Sequence, residues 1–133
     1  MEEKDKGYLA GLIDGEGSIL LQNNHKGEFR SPAVSISTTT PEIIDFVSNY
    51  YKVNMIQKKS LNKNYLPETV ITVRTDEAIR LLEDILPYMR HAKKIKRGRY
   101  IVDNYKNVTV RNGKYNPAQL EAKLQFEKEF FEL

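Results

Sequence analysis

An α+β fold is predicted: a four-stranded antiparallel sheet with helices on one face, followed by further C-terminal helices. Three observations lead there. A helix-like opening is followed by two pairs of strand-like segments, and each pair runs into a helix with a start signal of its own. The strand segments alternate apolar and polar residues, the two-residue period of a strand with one wet face. At 133 residues, with no cysteine and no second copy of its opening segment, the chain reads as one domain, 1–133, that needs no disulfide framework.

The elements follow in order. The opening helix runs through "GYLAGLID" and is expected to end at Gly15, with Glu16 next. "SILLQNNHKGEFRSPAVSIST" reads as two strands joined near Asn24 to Gly27, with Val34 and Ile36 alternating against Ala33, Ser35 and Ser37. Thr40 as N-cap and Pro41 at the first helical position open a helix whose apolar face is Ile43, Ile44, Val47 and Tyr51. "VNMIQKKS" and "ETVITVR" form the second strand pair around "LNKNYLP". Thr75 caps a helix carrying Ile79, Leu82, Ile85 and Leu86, which Pro87 ends. The segment "HAKKIKRGRYIVDNYK" is helical in pattern despite Gly98. Asn116, Pro117 and Gln119 make a capping box that opens a last helix through Leu120, Leu124 and Phe131.

Composition narrows the function classes. No apolar run approaches the roughly 18 residues of a membrane span, and the acidic start "MEEKDKG" does not resemble a secretory signal, so a chain that is neither secreted nor membrane-bound is expected. The formal charge is only +3, but its distribution is uneven. Arg90, Lys93, Lys94, Lys96, Arg97, Arg99, Lys106, Arg111 and Lys114 face a single acid, Asp103. Such a run serves either as a solvated helix face or as a surface that displaces counterions from nucleic acid. The predicted wet face of the sheet carries Ser18, Gln22, Asn24, Ser35, Ser37, Gln57, Lys59, Glu68 and Thr72. Glutamine, asparagine and lysine are side chains that read base edges in a major groove.

The opening segment has the least ordinary composition. Gly7, Gly11 and Gly15 recur every fourth residue on one helical face, although a glycine inside a helix costs about 0.8–1 kcal/mol relative to alanine. Glycines at that spacing permit close approach of another backbone. The stripe stops beside Glu16, a carboxylate at the negative end of the helix dipole, where an anion needs a compensating cation. Exposed carbonyls and a carboxylate together make an oxygen-rich cluster of the kind that suits Mg²⁺.

"LAGLIDGEG", Leu9 to Gly17, resembles the signature of the LAGLIDADG homing endonucleases, with glycine for the second alanine and glutamate for the final aspartate. The α-β-β-α-β-β-α order around it extends the resemblance over roughly residues 5 to 105. A single motif is similar to the homodimeric branch. The resemblance implies a site-specific DNA endonuclease acting as a homodimer on a long, nearly palindromic duplex, with the two motif helices packed across a two-fold axis. On that reading Gly7, Ala10, Gly11 and Asp14 lie at the dimer interface. Glu16 is catalytic and a metal ligand, and the Gly15 carbonyl is a second ligand. The implied cofactor is Mg²⁺, with Mn²⁺ as a substitute. Lys94 is the implied charge-stabilising lysine, with Lys93 and Lys96 as alternatives, and Thr38 occupies the water-positioning place where glutamine is common.

DNA contacts are expected from Gln22, Asn24, Lys26, Arg30, Ser35, Gln57 and Lys59, with Lys63 at a hairpin tip. Arg97, Arg99 and Arg111 are expected on phosphates, which position without specifying sequence. The implied location is cytoplasmic, or organellar for a product of an organelle intron. The alternative within the resemblance is a relative that binds DNA or RNA without cutting, as an intron maturase or a transcription regulator.

Overall fold

Residues 1–59 and 64–133 are described by a computed structural model of the chain. Helix α1 (Glu3–Glu16) leads directly into strand β1 (Gly17–Gln22), which pairs with β2 (Ser31–Thr38). Helix α2 (Pro41–Tyr50) crosses to β3 (Asn54–Lys58) and β4 (Glu68–Arg74). Helices α3 (Thr75–Ile85), α4 (Ala92–Asn104) and α5 (Pro117–Phe131) complete the chain. The four strands lie in the order β1-β2-β4-β3, every neighbouring pair antiparallel. The predicted fold class and order are thus present. Among the described residues, no helix is long and apolar enough to cross a membrane.

Strand alternation decides what each face of the sheet carries. Ile19, Leu21, Val34, Ile36, Ile71 and Val73 point into one core with Leu9 and Ile13 of α1, Val47 of α2, Ile79 and Leu82 of α3 and Ile101 of α4. Gly98 lets α4 settle onto this layer. A Cβ there would sit 2.8 Å from Leu86 Cδ2 and 3.3 Å from Leu82 Cδ2, so the glycine that weakens the helical pattern is the one the packing requires.

The opposite face is open. The register aligns Ser18 with Ser35 and Thr72, and Leu20 with Ala33 and Arg74. It also aligns Gln22 with Ser31, Ser37 with Val70, and Val70 with Ile56. Gln57 departs from expectation. It pairs with Thr69, which pairs with Thr38, and that row belongs to the helix-bearing face. Asn54, Ile56 and Lys58 are the β3 residues on the open face, and Lys59 lies beyond the end of the strand. Because side chains alternate every residue, a parity error of one position moves the whole strand's assignment.

Two helix ends differ from expectation, and a third cap holds by position. Helix α1 includes Glu16 as its last residue, and Gly17 follows as the cap. Thr75 does not cap α3. It is the first helical residue, in left-handed backbone (φ 53°), and Arg74 takes the N-cap position. Thr40 is N-cap of α2 by position, without a side-chain cap bond.

The capping box of α5 is formed as expected: Gln119 N–H donates to Asn116 Oδ1 (2.8 Å), and Asn116 N–H donates to Gln119 Oε1 (3.0 Å). The helix presents a different face to the core, however. Lys123, Phe126 and Phe130 are buried, while Leu120, Leu124 and Phe131 are exposed. Lys123 is 1% exposed and donates from Nζ to Thr109 Oγ1 at 2.7 Å, with the Tyr105 ring centroid at 4.3 Å. Hydroxyl and ring face stand in for water around its charge.

Burial pushes the Lys123 amine below its ordinary value, against an opposing pull from Glu127. The unfolded chain therefore holds this proton to higher pH than the fold does. The burial penalty is fully present below the folded-state pKa and is relieved as pH rises through it toward the unfolded value. Lys123→Met, which fills the same volume uncharged, is expected to gain its largest stability advantage over the parent near neutral pH. Urea midpoints of both proteins should converge as pH rises to about 10. A gap that widens over this range would contradict the assignment.

Candidate functional site

The site begins at the junction of α1 with the sheet. Leu9, Ala10 and Ile13 turn one side of α1 into the core with no exposed surface. Ala10 is therefore not part of an outward ridge, contrary to expectation. The other side carries Gly7, Gly11 and Gly15, and a Cβ built at any of them meets nothing within 4 Å. Among the described residues these glycines serve no close contact. Gly17 is the contrasting case, since a Cβ there would lie 2.8 Å from the Ile13 Cα. The first residue of β1 thus nests against the last turn of α1.

Helix α1 ends on two cationic and anionic tethers to α4. Lys94 Nζ donates to the carbonyls of Ile13 and Asp14, each at 2.8 Å. The Ile13 carbonyl also accepts the Gly17 N–H, and the ammonium offsets the negative end of the helix dipole. Lys94 is thus held by backbone carbonyls, and among the described residues it forms no ion pair with Glu16. In return, the Asp14 carboxylate accepts the backbone N–H of Arg90 (2.8 Å) and of His91 (3.1 Å). Both its oxygens are engaged inside the chain, which makes Asp14 a brace between helices. His91 caps α4, its Nδ1 accepting Lys94 N–H at 3.3 Å.

Glu16 itself is exposed, and among the described residues no hydrogen bond or ion pair engages its carboxylate. It shares a cavity with Leu12, Ser37, Thr38, Ile43 and Glu68. Thr38 Oγ1 accepts Thr40 N–H at 3.0 Å, which leaves the hydroxyl proton free to be donated. Glu68 is hydrogen-bonded by Ser37 Oγ. Among the described residues no three His, Cys, Asp or Glu side chains gather to hold a metal ion. In this cavity, among the described residues, one chain therefore offers the unengaged Glu16 carboxylate, next in sequence to the Gly15 carbonyl. Such all-oxygen donors fit a hard divalent cation as half of a site.

The expected DNA-facing residues fall into distinct places. Gln22 and Ser35 lie on the open sheet face. Asn24 donates its amide to Ser31 Oγ (3.2 Å) at the strand junction, and Lys26 is exposed in the adjoining loop. Arg30 is drawn to α5, its N–H on Glu127 (3.1 Å) and its guanidinium 4.9 Å from the Phe131 centroid. Arg97 is half-buried over Phe130, whereas Lys93, Lys96, Arg99 and Arg111 are exposed. Lys63 falls outside the described residues. Asn54, Lys58 and Arg74 on the open face were missed by sequence reasoning. Correct strand parity is the signal that would have found them: Asn54 and Lys58 align with Thr72 and Glu68, already assigned there, and Arg74 shares the parity of those two along β4.

Known proteins share this architecture. An archaeal intron-encoded homing endonuclease, I-Vdi141I, solved in complex with DNA, superposes over 99% of this chain and 85% of its own, with a TM-score of 0.59 at 16% identity. The homing endonuclease I-CvuI, solved with its target, superposes over 98% of this chain and 83% of its own (TM-score 0.57, 14% identity). At such identities the likeness establishes the fold. No family model matches the chain. In sequence, it is 33% identical over 109 residues to the intron-encoded DNA endonuclease aI3 of Saccharomyces cerevisiae.

The chain belongs to the LAGLIDADG homing endonuclease family. The match to the yeast LAGLIDADG relative covers 77% of this chain but 26% of that protein, so the chain spans about a quarter of its length. Within the LAGLIDADG fold the motif helix is α1, and the last two residues of its signature, Leu9 to Gly17, are the acid just described and the cap glycine.

Proposed function

We propose that the chain is a site-specific, divalent-metal-dependent DNA endonuclease that works as a homodimer. The observation that carries this reading is Glu16: an unengaged carboxylate at the end of a helix whose outward ridge is bare glycine. Two such ridges can approach closely across a two-fold axis, and that axis places two copies of Glu16 side by side. The Gly15 carbonyl and the paired Glu16 carboxylates would hold Mg²⁺, or Mn²⁺ in its place. The chemistry such an ion supplies is neutralisation of phosphate charge and a more acidic water.

The chain's own residues do the rest. Two carbonyls hold the Lys94 ammonium at the acid tip, where its third proton can be donated to a non-bridging phosphate oxygen as negative charge develops. The Thr38 hydroxyl, oriented by Thr40 N–H, donates to a water in the cavity that Glu16 shares. The open sheet face reads base edges, while exposed Arg99 and Lys26 contact phosphates. Retention of the acid favours cutting over the binding-only alternative.

Selection from random duplex DNA, followed by incubation of the selected duplex with and without Mg²⁺, tests this reading. Breaks in both strands that require the metal are expected. Tight binding with no cutting in Mg²⁺ or Mn²⁺ would replace the nuclease with the non-cleaving alternative.

A further inference from the structure

We infer that Arg74 reads a guanine in each half-site, an inference that rests on the DNA-reading assignment above. Arg74 ends β4, one of the two central strands, and the register sets it on the open face in a row with Ala33 and Leu20. Ala33 has no exposed surface although it lies on that face. Leu20 and Arg74 are its cross-strand neighbours, and both are long enough to close over it. The Arg74 Nε is buried and has no hydrogen-bond partner. Among the described residues no carboxylate pairs with the guanidinium, and Glu68, an acid on the same face, sits at the other end of β4 and is bonded by Ser37. The guanidinium thus stands in a row with apolar Leu20 and Ala33, and among the described residues it has no acceptor.

Position on the sheet selects the acceptor. With strands about 4.8 Å apart, four of them span about 14 Å, close to the major-groove width of about 12 Å. The outer strands then lie along the phosphate walls, and a central-strand side chain meets the groove floor. There the planar fork of arginine matches guanine O6 and N7. Thr75 fixes the approach: its left-handed backbone turns the chain sharply into α3, so Arg74 is the last residue directed to the open face.

The test compares duplexes enriched from a random pool by the parent chain, Arg74→Ala and Arg74→Lys, with thermal melts confirming that each is folded. The parent is expected to enrich a guanine at a symmetry-related pair of positions. Both variants should lose that preference by roughly 5- to 100-fold. Arg74→Lys, which keeps charge and stem but not the fork, should leave the salt dependence of affinity unchanged. An unaltered base preference in both variants would overturn the inference. So would an affinity loss uniform across sequences with a shallower salt slope in Arg74→Ala, which marks a phosphate contact. A parent chain that enriches no duplex at all would defeat the DNA-reading assignment, and this inference with it.

Discussion

Glu16→Gln is expected to reduce double-strand cleavage by roughly 10²–10³-fold or more while duplex affinity stays within a few-fold of the parent. Glutamine matches glutamate in size, so the cavity with Thr38 and Glu68 keeps its shape. What disappears is the negative charge that a hard cation requires, and the proposed dimer would lose it twice. Affinity should hold or rise, because an anion is removed from a surface that approaches phosphates. Cleavage of the selected duplex and its gel-shift titration, both with the same variant, separate the two quantities. Undiminished cutting would remove Glu16 from the chemistry.

Gly11→Leu is expected to move subunit stability and activity in opposite directions. Among the described residues nothing lies within 4 Å of a Cβ at Gly11, and the position is exposed, so the new side chain starts into open space. Leucine's better helix propensity should make each subunit about 0.8 kcal/mol more stable. The same side chain holds two α1 ridges apart, and the paired acids separate with them. Sedimentation should then report single subunits at concentrations where the parent is dimeric, and double-strand cutting should vanish. A variant that stays dimeric and cuts normally would mean that the glycine ridge is not the dimer contact.

The fold was largely legible because local signals agree with one another. Pro41 at a first helical turn, the Asn116–Gln119 box and the alternation of Val34 and Ile36 each depend on near neighbours alone. The errors arose where the deciding partner is distant. The face of Gln57 depends on which β4 residue it meets, and no property of "VNMIQKKS" itself specifies that. Leu120, Leu124 and Phe131 share a spacing suited to burial. Yet Tyr105, Thr109 and Phe126 build a pocket that accepts a lysine, and Lys123 turns the helix the other way. Ala10 fits a ridge of small residues by size, but it faces inward.

The acid and the basic helix were both recognisable from composition and motif. The tie between them was not. Lys94 reaches α1 across a sequence separation of about eighty residues, and Asp14 answers it through backbone amides that carry no residue-specific signature.

The nesting of Gly17 beneath Ile13 has a consequence for how such a protein can change over time. With no connecting loop between the motif helix and the first strand, Glu16 and Ser18 are held at a backbone-determined offset. In the proposed nuclease, outward strand positions could be exchanged to suit a new address, and the cut would still fall at the same number of bases from the letters being read. On that function the backbone would act as a ruler whose zero mark is the scissile bond.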